Sequence, residues 1–195
     1  MRKAEITRNT TETQITLSLN LDGSGRYQGE TGVGFMDHML CLFAAHGMFD
    51  LTVGCTGDIQ VDAHHTVEDL GIVLGQALAQ AVGDKAGIRR YGSFLLPMDE
   101  ALALVALDLS GRSHLTLETD IAAAAVGGFD TDLLEEFLLG FARAAGVTLH
   151  VRQLAGKNAH HIIEAIFKGL ARALCEAVAE DPRRTGQIPS TKGVL

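Results

Sequence analysis

Along the chain the spacing of apolar residues changes period in the same way twice. AEITRNTTETQITLSLNLDGSGR alternates polar and apolar positions and ends in glycine-rich turn chemistry, which predicts a hairpin or paired strands. FMDHMLCLFAAHG (35–47) spaces its apolar residues as a helix does and stops at a glycine. FDLTVGCTGDIQVD reads as two short strands around a glycine turn. HHTVEDLGIVLGQALAQAVG then reads as a long helix with Val67, Leu70, Val73, Leu74, Ala77, Leu78 and Ala81 on its apolar side. The second half repeats the order. EALALVALDLSGRSHLTLETD is strand material around a turn, FDTDLLEEFLLGFARAAG is helical, VTLHVRQLAG is a strand and turn, and HHIIEAIFKGLARALCEAVAE is a second long helix. The tail DPRRTGQIPSTKGVL has no helical period.

The repetition extends to individual residues. Asp62-Ala63-His64-His65 with Glu68 returns as Asn158-Ala159-His160-His161 with Glu164, an offset of 96, and LDGSGR at 21–26 is echoed by LDLSGR at 107–112. Such an order predicts an α/β protein of the two-layer α+β kind, duplicated internally, each half a small sheet with helices packed on one face. A period this long does not suit a solenoid and favours a pseudo-twofold pair. The expected organisation is a single domain over 1–195, with halves at about 1–90 and 91–180 and a tail at 181–195.

Composition narrows the partners. With 47% hydrophobic residues in 195 the chain can bury a sizeable core, and a formal charge of −8 argues against a nucleic-acid partner. No apolar run is long enough to span a bilayer, and MRKAEITRNTTET lacks the apolar core of a signal peptide, so a membrane partner is not expected. Cys41, Cys55 and Cys175 show no CxxC spacing, which fits a reducing cytoplasm rather than a disulfide framework or thiolate zinc site. A small molecule or a bound cation is the natural partner.

A single histidine pair at a helix start is ordinarily a surface feature. Its return after 96 residues changes that reading. Asp62 and Asn158 are good N-caps, which places the pairs in the first turn, where the helix dipole disfavours a protonated imidazole. Residues four apart share a face, so His64 can converge with Glu68 and His160 with Glu164. Adjacent histidines diverge by about 100° on a helix, so each pair is expected to serve two metals rather than one. Imidazole and carboxylate without thiolate suit Mn²⁺, Fe²⁺ or Zn²⁺, with manganese favoured for a six-coordinate site. His38 in FMDHML and Glu135 or Glu136 in DTDLLEEFLLG occupy comparable places and are further ligand candidates. His46, at a helix C-terminus where partial protonation is favoured, could cap carbonyls or meet an anion. His114 and His150 are as well explained by structure as by function. Arg90, Arg112, Lys168, Ser190 and Lys192 could form a phosphate pocket if they converge.

These residues together resemble the imidazoleglycerol-phosphate dehydratase family of histidine biosynthesis. The resemblance runs from residue 8 to the C-terminus through RNTTET, FMDHML, HGMFDLTV, AHHTVEDLGI, DEALALVALDLSGR, LHVRQLAGKNAHHIIEAIFK and DPRRTGQIPSTKGVL. It implies a duplicated α/β half-domain fold, a homo-oligomeric shell of 24 subunits with active sites at subunit interfaces, and two Mn²⁺ per active site. It also implies metal ligation by His38, His64, His65, Glu68, His160, His161 and Glu164. Glu12 would be a substrate-site residue handling a proton, and His46, Arg90, Arg112, Lys168, Ser190 and Lys192 the substrate and phosphate pocket. Glu136 stands where some members carry a histidine ligand, and a carboxylate also coordinates Mn²⁺. Leu42 replaces a glutamine near the phosphate, and Ala63 a common aspartate. The phosphatase domain that some members carry is missing from the sequence, so a monofunctional chain is expected.

The implied reaction dehydrates D-erythro-imidazole glycerol phosphate to imidazole acetol phosphate. Its difficulty is a C–H proton with no neighbouring carbonyl; two metals would hold the ring as imidazolate, with Glu12, Glu68 or Glu164 as base. Two rival readings of the same residues are a binuclear metallohydrolase of a small phosphoester and a non-catalytic metal-binding shell protein. The hydrolase should release phosphate from a generic ester, and the shell protein should bind neither phosphate nor imidazole.

Overall fold

The structure, a computed structural model, describes residues 2–195. The first half runs β1 (Lys3–Asn9), β2 (Thr13–Asn20), β3 (Tyr27–Glu30), α1 (Gly34–Gly47), β4 (Asp50–Gly57) and α2 (His64–Val82). The second runs β5 (Tyr91–Met98), β6 (Ala101–Asp108), β7 (His114–Glu118), a small hairpin β8 (Ala125–Val126) and β9 (Phe129–Asp130), α3 (Leu133–Ala145), β10 (Thr148–Ala155) and α4 (Ala159–Val178). Sheet 1 has the order β1-β2-β4-β3 and sheet 2 the order β5-β6-β10-β7. In each, the last-named strand pairs parallel with its neighbour and the other pairings are antiparallel. The duplication read from the sequence is thus a duplication of topology, and the two LD(G/L)SGR loops follow equivalent strands, β2 and β6.

Strand alternation sets which face each sheet covers. Ile15, Leu17 and Leu19 of β2 and Ala103, Val105 and Leu107 of β6 are buried under the helices, while the intervening residues face outward. The helices pack across the halves as well as on their own sheets: α2 lies on β1 and β2 and against α3, and α4 lies on β5 and β6 and against α1. One continuous apolar core therefore joins both halves, with Phe43, Phe137, Phe141 and Phe167 fully enclosed. Contact between α2 and α3 is backbone-close. A Cβ added to Gly71 would stand 2.3 Å from the Phe137 carbonyl oxygen.

Three details depart from the sequence reading. FDLTVGCTGDIQVD makes one strand, not two, because the chain turns at Asp58, whose carbonyl accepts from Val61 N–H at 2.8 Å. β5 was not foreseen as a separate strand, its LLP run masking the alternation. Asn158 caps α4 as expected, accepting from His160 N–H and His161 N–H. Ala63, however, occupies the cap position of α2, and Asp62 accepts from His64 N–H at 2.8 Å from one residue further out. Among the described residues no helix is long and apolar enough to cross a membrane.

Candidate metal centre and substrate site

Because α1 of the first half packs on α4 of the second, His38 and His160 meet although 122 residues separate them. Their rings lie 5.6 Å apart, His160 Nε2 is 3.3 Å from Glu164 Oε2, and His38 Nε2 is 3.9 Å from the same oxygen. His38, His160 and Glu164 each offer a ligand atom within 4.8 Å of the others, and among the described residues they are the one such group of three. Phe35 packs edge-on against His160 at 5.2 Å, with Phe129 of the inserted hairpin 5.1 Å from Phe35, and together they wall one side.

Glu164 is 7% exposed. Burial works to raise its carboxyl, but the paired Lys168 ammonium and the two histidines outweigh it and hold the group below the usual glutamate range. Lys168 is one turn further along α4 and also reaches Met98 Sδ at 3.5 Å. His46 belongs to this neighbourhood too. Burial first, then the Lys168 and Arg172 cations, push its imidazole down, so the protonated form expected at a helix C-terminus is disfavoured here.

The rings of each pair stand 6.0 Å (His64–His65) and 6.2 Å (His160–His161) apart, and in the second pair they take different partners. While His160 joins the cluster, His161 turns to the β5–β6 hairpin, its Nδ1 2.7 Å from Glu100 Oε2 and its Nε2 3.7 Å from Asp99 Oδ2. His65 does the same in the first half, with Nδ1 3.0 Å from Asp58 Oδ2 and Nε2 3.8 Å from Glu12 Oε1. By accepting these hydrogen bonds the carboxylates push both imidazoles upward, against the downward pull of the helix dipole, and the Glu100 carboxyl falls to about 2. Asp58, Asp99 and Glu100 escaped the sequence reading. Only the AspGlu pair between two strands could have marked the last two, and that signal was lost with β5.

The structure does not draw His64, Glu68 and Glu136 into a comparable cluster, although they lie on packed helices α2 and α3. Glu12 sits at the β1–β2 turn, half-exposed, and Thr10 Oγ1 closes that turn by accepting from Glu12 N–H and Thr13 N–H. The turn is fastened to α2 through buried Asp69, which accepts from Arg8 Nε at 2.9 Å and from the Thr13 hydroxyl.

The remaining basic residues gather at a second place. Arg90 is buried and forms a two-point ion pair with Asp108 at 2.6 and 3.0 Å, while its third nitrogen donates to the Pro189 carbonyl at 2.9 Å. That bond carries Ser190 and Lys192 with it, the Lys192 N–H donating to Ser190 Oγ. Arg112 stands largely exposed, 3.8 Å from Asp108. Leu42 packs against the core.

Comparison with known proteins bears on the fold and the family. Residues 31–174 match the family model described as imidazoleglycerol-phosphate dehydratase. The imidazoleglycerol-phosphate dehydratase of Desulforamulus reducens is 61% identical over 194 residues, covering 100% of this chain and 98% of that one. That of Methylorubrum extorquens is 57% identical over the full length of both. The crystal structure of the Staphylococcus aureus dehydratase superposes with a TM-score of 0.84 at 40% identity, covering 92% of this chain and 99% of that one. The Pyrococcus furiosus structure, in complex with (S)-C348, gives 0.84 at 39% identity over 97% and 100%. With the duplicated sheet order, the paired histidines and a full-length match all in agreement, the chain belongs to the imidazoleglycerol-phosphate dehydratase family.

Proposed function

We propose that the chain removes water from D-erythro-imidazole glycerol phosphate to give imidazole acetol phosphate in L-histidine biosynthesis, as a metal-dependent hydro-lyase. The observation that carries this reading is the His38–His160–Glu164 cluster with a lysine at its edge. Two imidazoles and one buried carboxylate, with no thiolate, are a donor set that suits Mn²⁺. Bound there, the ion supplies Lewis acidity toward a substrate ring nitrogen and a fixed point for the ring.

The chain's own residues would do the rest. Lys168 holds one oxygen of Glu164 and leaves the other facing the histidines. Glu12, on an anchored but exposed turn beside His65, would accept the C–H proton, with Glu68 and Glu164 as the alternative bases. Hydroxide leaves from the neighbouring carbon, and the resulting enol takes a proton back as it becomes the ketone. His46 and Lys168 on one side, and Arg112, Ser190 and Lys192 on the other, would grip the phosphate. Arg90 contributes by holding the tail that bears Ser190.

Our reading places two Mn²⁺ in each site and completes the site between copies of the chain. One chain converges only three of the eight ligand candidates; His64, His65, Glu68 and Glu136 would meet the α1–α4 cluster of a neighbour. The outer face of sheet 2 offers a surface for such contact. Leu95 is paired with Leu104 and Pro97 with Leu102, where sheet 1 presents Thr7, Thr16, Ser18 and Thr52. A homo-oligomer of 24 subunits is the assembly proposed. Three free thiols suit the reducing cytoplasm as its location.

The test is turnover of imidazole glycerol phosphate by the purified protein with Mn²⁺, after chelation, and after Mn²⁺ is restored. Loss and recovery are expected. Undiminished turnover by the stripped protein would remove the metal from the reading, and no turnover in any state would remove the reaction.

A further inference from the structure

We infer that Glu100 and Asp58 are positioning residues: each grips the second histidine of a pair, His161 or His65, by Nδ1 and so presents Nε2 as the ligating atom. The inference rests on the metal-binding reading above and extends it to residues outside the ligand set.

Glu100 lies in the β5–β6 turn and makes three contacts. Its Oε1 accepts from Lys157 N–H at 3.2 Å and Asn158 N–H at 2.8 Å, just ahead of α4, and its Oε2 stands 2.7 Å from His161 Nδ1. An ionised carboxylate only accepts, so the hydrogen of the ring sits on Nδ1 and the lone pair of the neutral imidazole on Nε2. A carboxylate behind a ligating histidine fixes its tautomer and ring orientation. Asp58 does the same for His65 at 3.0 Å, from the loop between β4 and α2. Its other oxygen is buried without a hydrogen-bond partner, a costly placement in which the carboxylate is turned to the ring.

Anchoring the start of α4 accounts for Oε1 of Glu100 but not for Oε2. Duplication does not account for the pair of contacts either. The strand registers map Glu100 onto Glu12, which approaches His65 at Nε2 and not at Nδ1, whereas Asp58 lies in the loop between β4 and α2, not in the matching hairpin turn. Two unrelated loops therefore arrive at the same nitrogen of equivalent histidines. His160, by contrast, is engaged through Nε2, by Glu164 within the cluster.

Glu100→Gln keeps an oxygen for the two backbone N–H groups but sets an amide N–H against Nδ1, forcing the ring hydrogen onto Nε2. Asp58→Asn does likewise for His65. Calorimetric titration of Mn²⁺ into the metal-stripped full-length protein is expected to show about 10- to 100-fold weaker binding in each variant, with the melting temperature of the stripped form unchanged. Wild-type affinity in both variants overturns the inference, as does a weakening that follows a fall in melting temperature. Asp58→Asn leaves the start of α4 untouched and settles the matter should Glu100→Gln disturb folding. A wild-type protein that takes up no Mn²⁺ overturns the metal reading itself, and this inference with it.

Discussion

The two halves share a strand order, a helix order and an HHxxxE helix, yet only one of those helices has its ligand candidates assembled. In the second half, His160 and Glu164 of α4 find His38 on α1; in the first, His64 and Glu68 of α2, a helix packed on α3, close no such cluster. The outer sheet faces differ as well, hydroxyl-rich on sheet 1 and leucine-rich on sheet 2. Duplication supplied two copies of one scaffold, and side-chain identity divided the work between them. If the proposed intersubunit site is correct, a chain with one converged cluster and one open set holds half of it, and that is the feature to break first.

His160→Ala is expected to give the largest effect, a fall in turnover of more than about 100-fold, since changes behind a ligand alone reach 10- to 100-fold. His64→Ala should be as severe if the α2 set completes a site on another copy. The sharper measurement is complementation: unfolding and reassembling the two inactive variants together. If each site takes α4 from one copy and α2 from another, roughly a quarter of the sites in an equal random mixture pair two intact helices, and activity returns to that extent. No recovery would mean that both helices serve from the same chain.

The sheet faces are tested next. Leu104→Glu should reduce both the assembled mass seen by light scattering and the activity. Thr16→Glu, at the corresponding position on sheet 1, should leave both unchanged. Equal behaviour of the two variants would remove the asymmetry on which the proposed contact depends.

How much of this was visible in the sequence follows from which interactions are local. The HHxxxE pairs, the Asn158 cap and the echoed LD(G/L)SGR loops are local patterns that landed where expected, while the Asp62 cap missed by one residue. The pairing of α1 with α4 is not local: packing α1 against α2 within one half satisfies the same apolar spacing. Glu100 touches His161 across 61 residues through a turn whose strand carried no alternating signal. Arg90 read as a phosphate-pocket candidate, and nothing in GIRRYG announces that Asp108 and the Pro189 carbonyl engage its guanidinium.

Packing differs between the halves in a way that predicts unequal costs. At Gly71 a new Cβ meets the Phe137 carbonyl, which is backbone and cannot step aside; Gly71→Ala should cost about 1–3 kcal/mol. At Gly169 on α4 the nearest atom is a Val105 methyl at 2.9 Å, which a rotamer change can relieve. Gly169→Ala should therefore lower the melting temperature less, and a reversal of that order in thermal melts would count against the rigid α2–α3 contact.

The smallest expected effect separates the halves by pH. The echoed loops are latched to equivalent strands by different chemistry. After β2, the Asp50 carboxylate accepts from Ser24 N–H at 2.8 Å and Arg26 N–H at 3.2 Å; after β6, Thr148 takes that place, its hydroxyl donating to the Arg112 carbonyl at 3.0 Å. The backbone donors at Ser24 and Arg26 bring the Asp50 carboxyl from 3.8 down to about 2. A group whose folded value is depressed stabilises the protein above its unfolded value and ceases to do so as the pH falls through the folded one. Asp50→Asn should thus lower the melting temperature slightly at neutral pH and flatten the acid limb of its pH profile between pH 3.8 and about 2. Thr148→Ala has no titrating group to lose, so its difference from wild type should stay constant across that window. A pH-dependent difference for Thr148→Ala, or none for Asp50→Asn, would show that the acid sensitivity of the first half arises elsewhere.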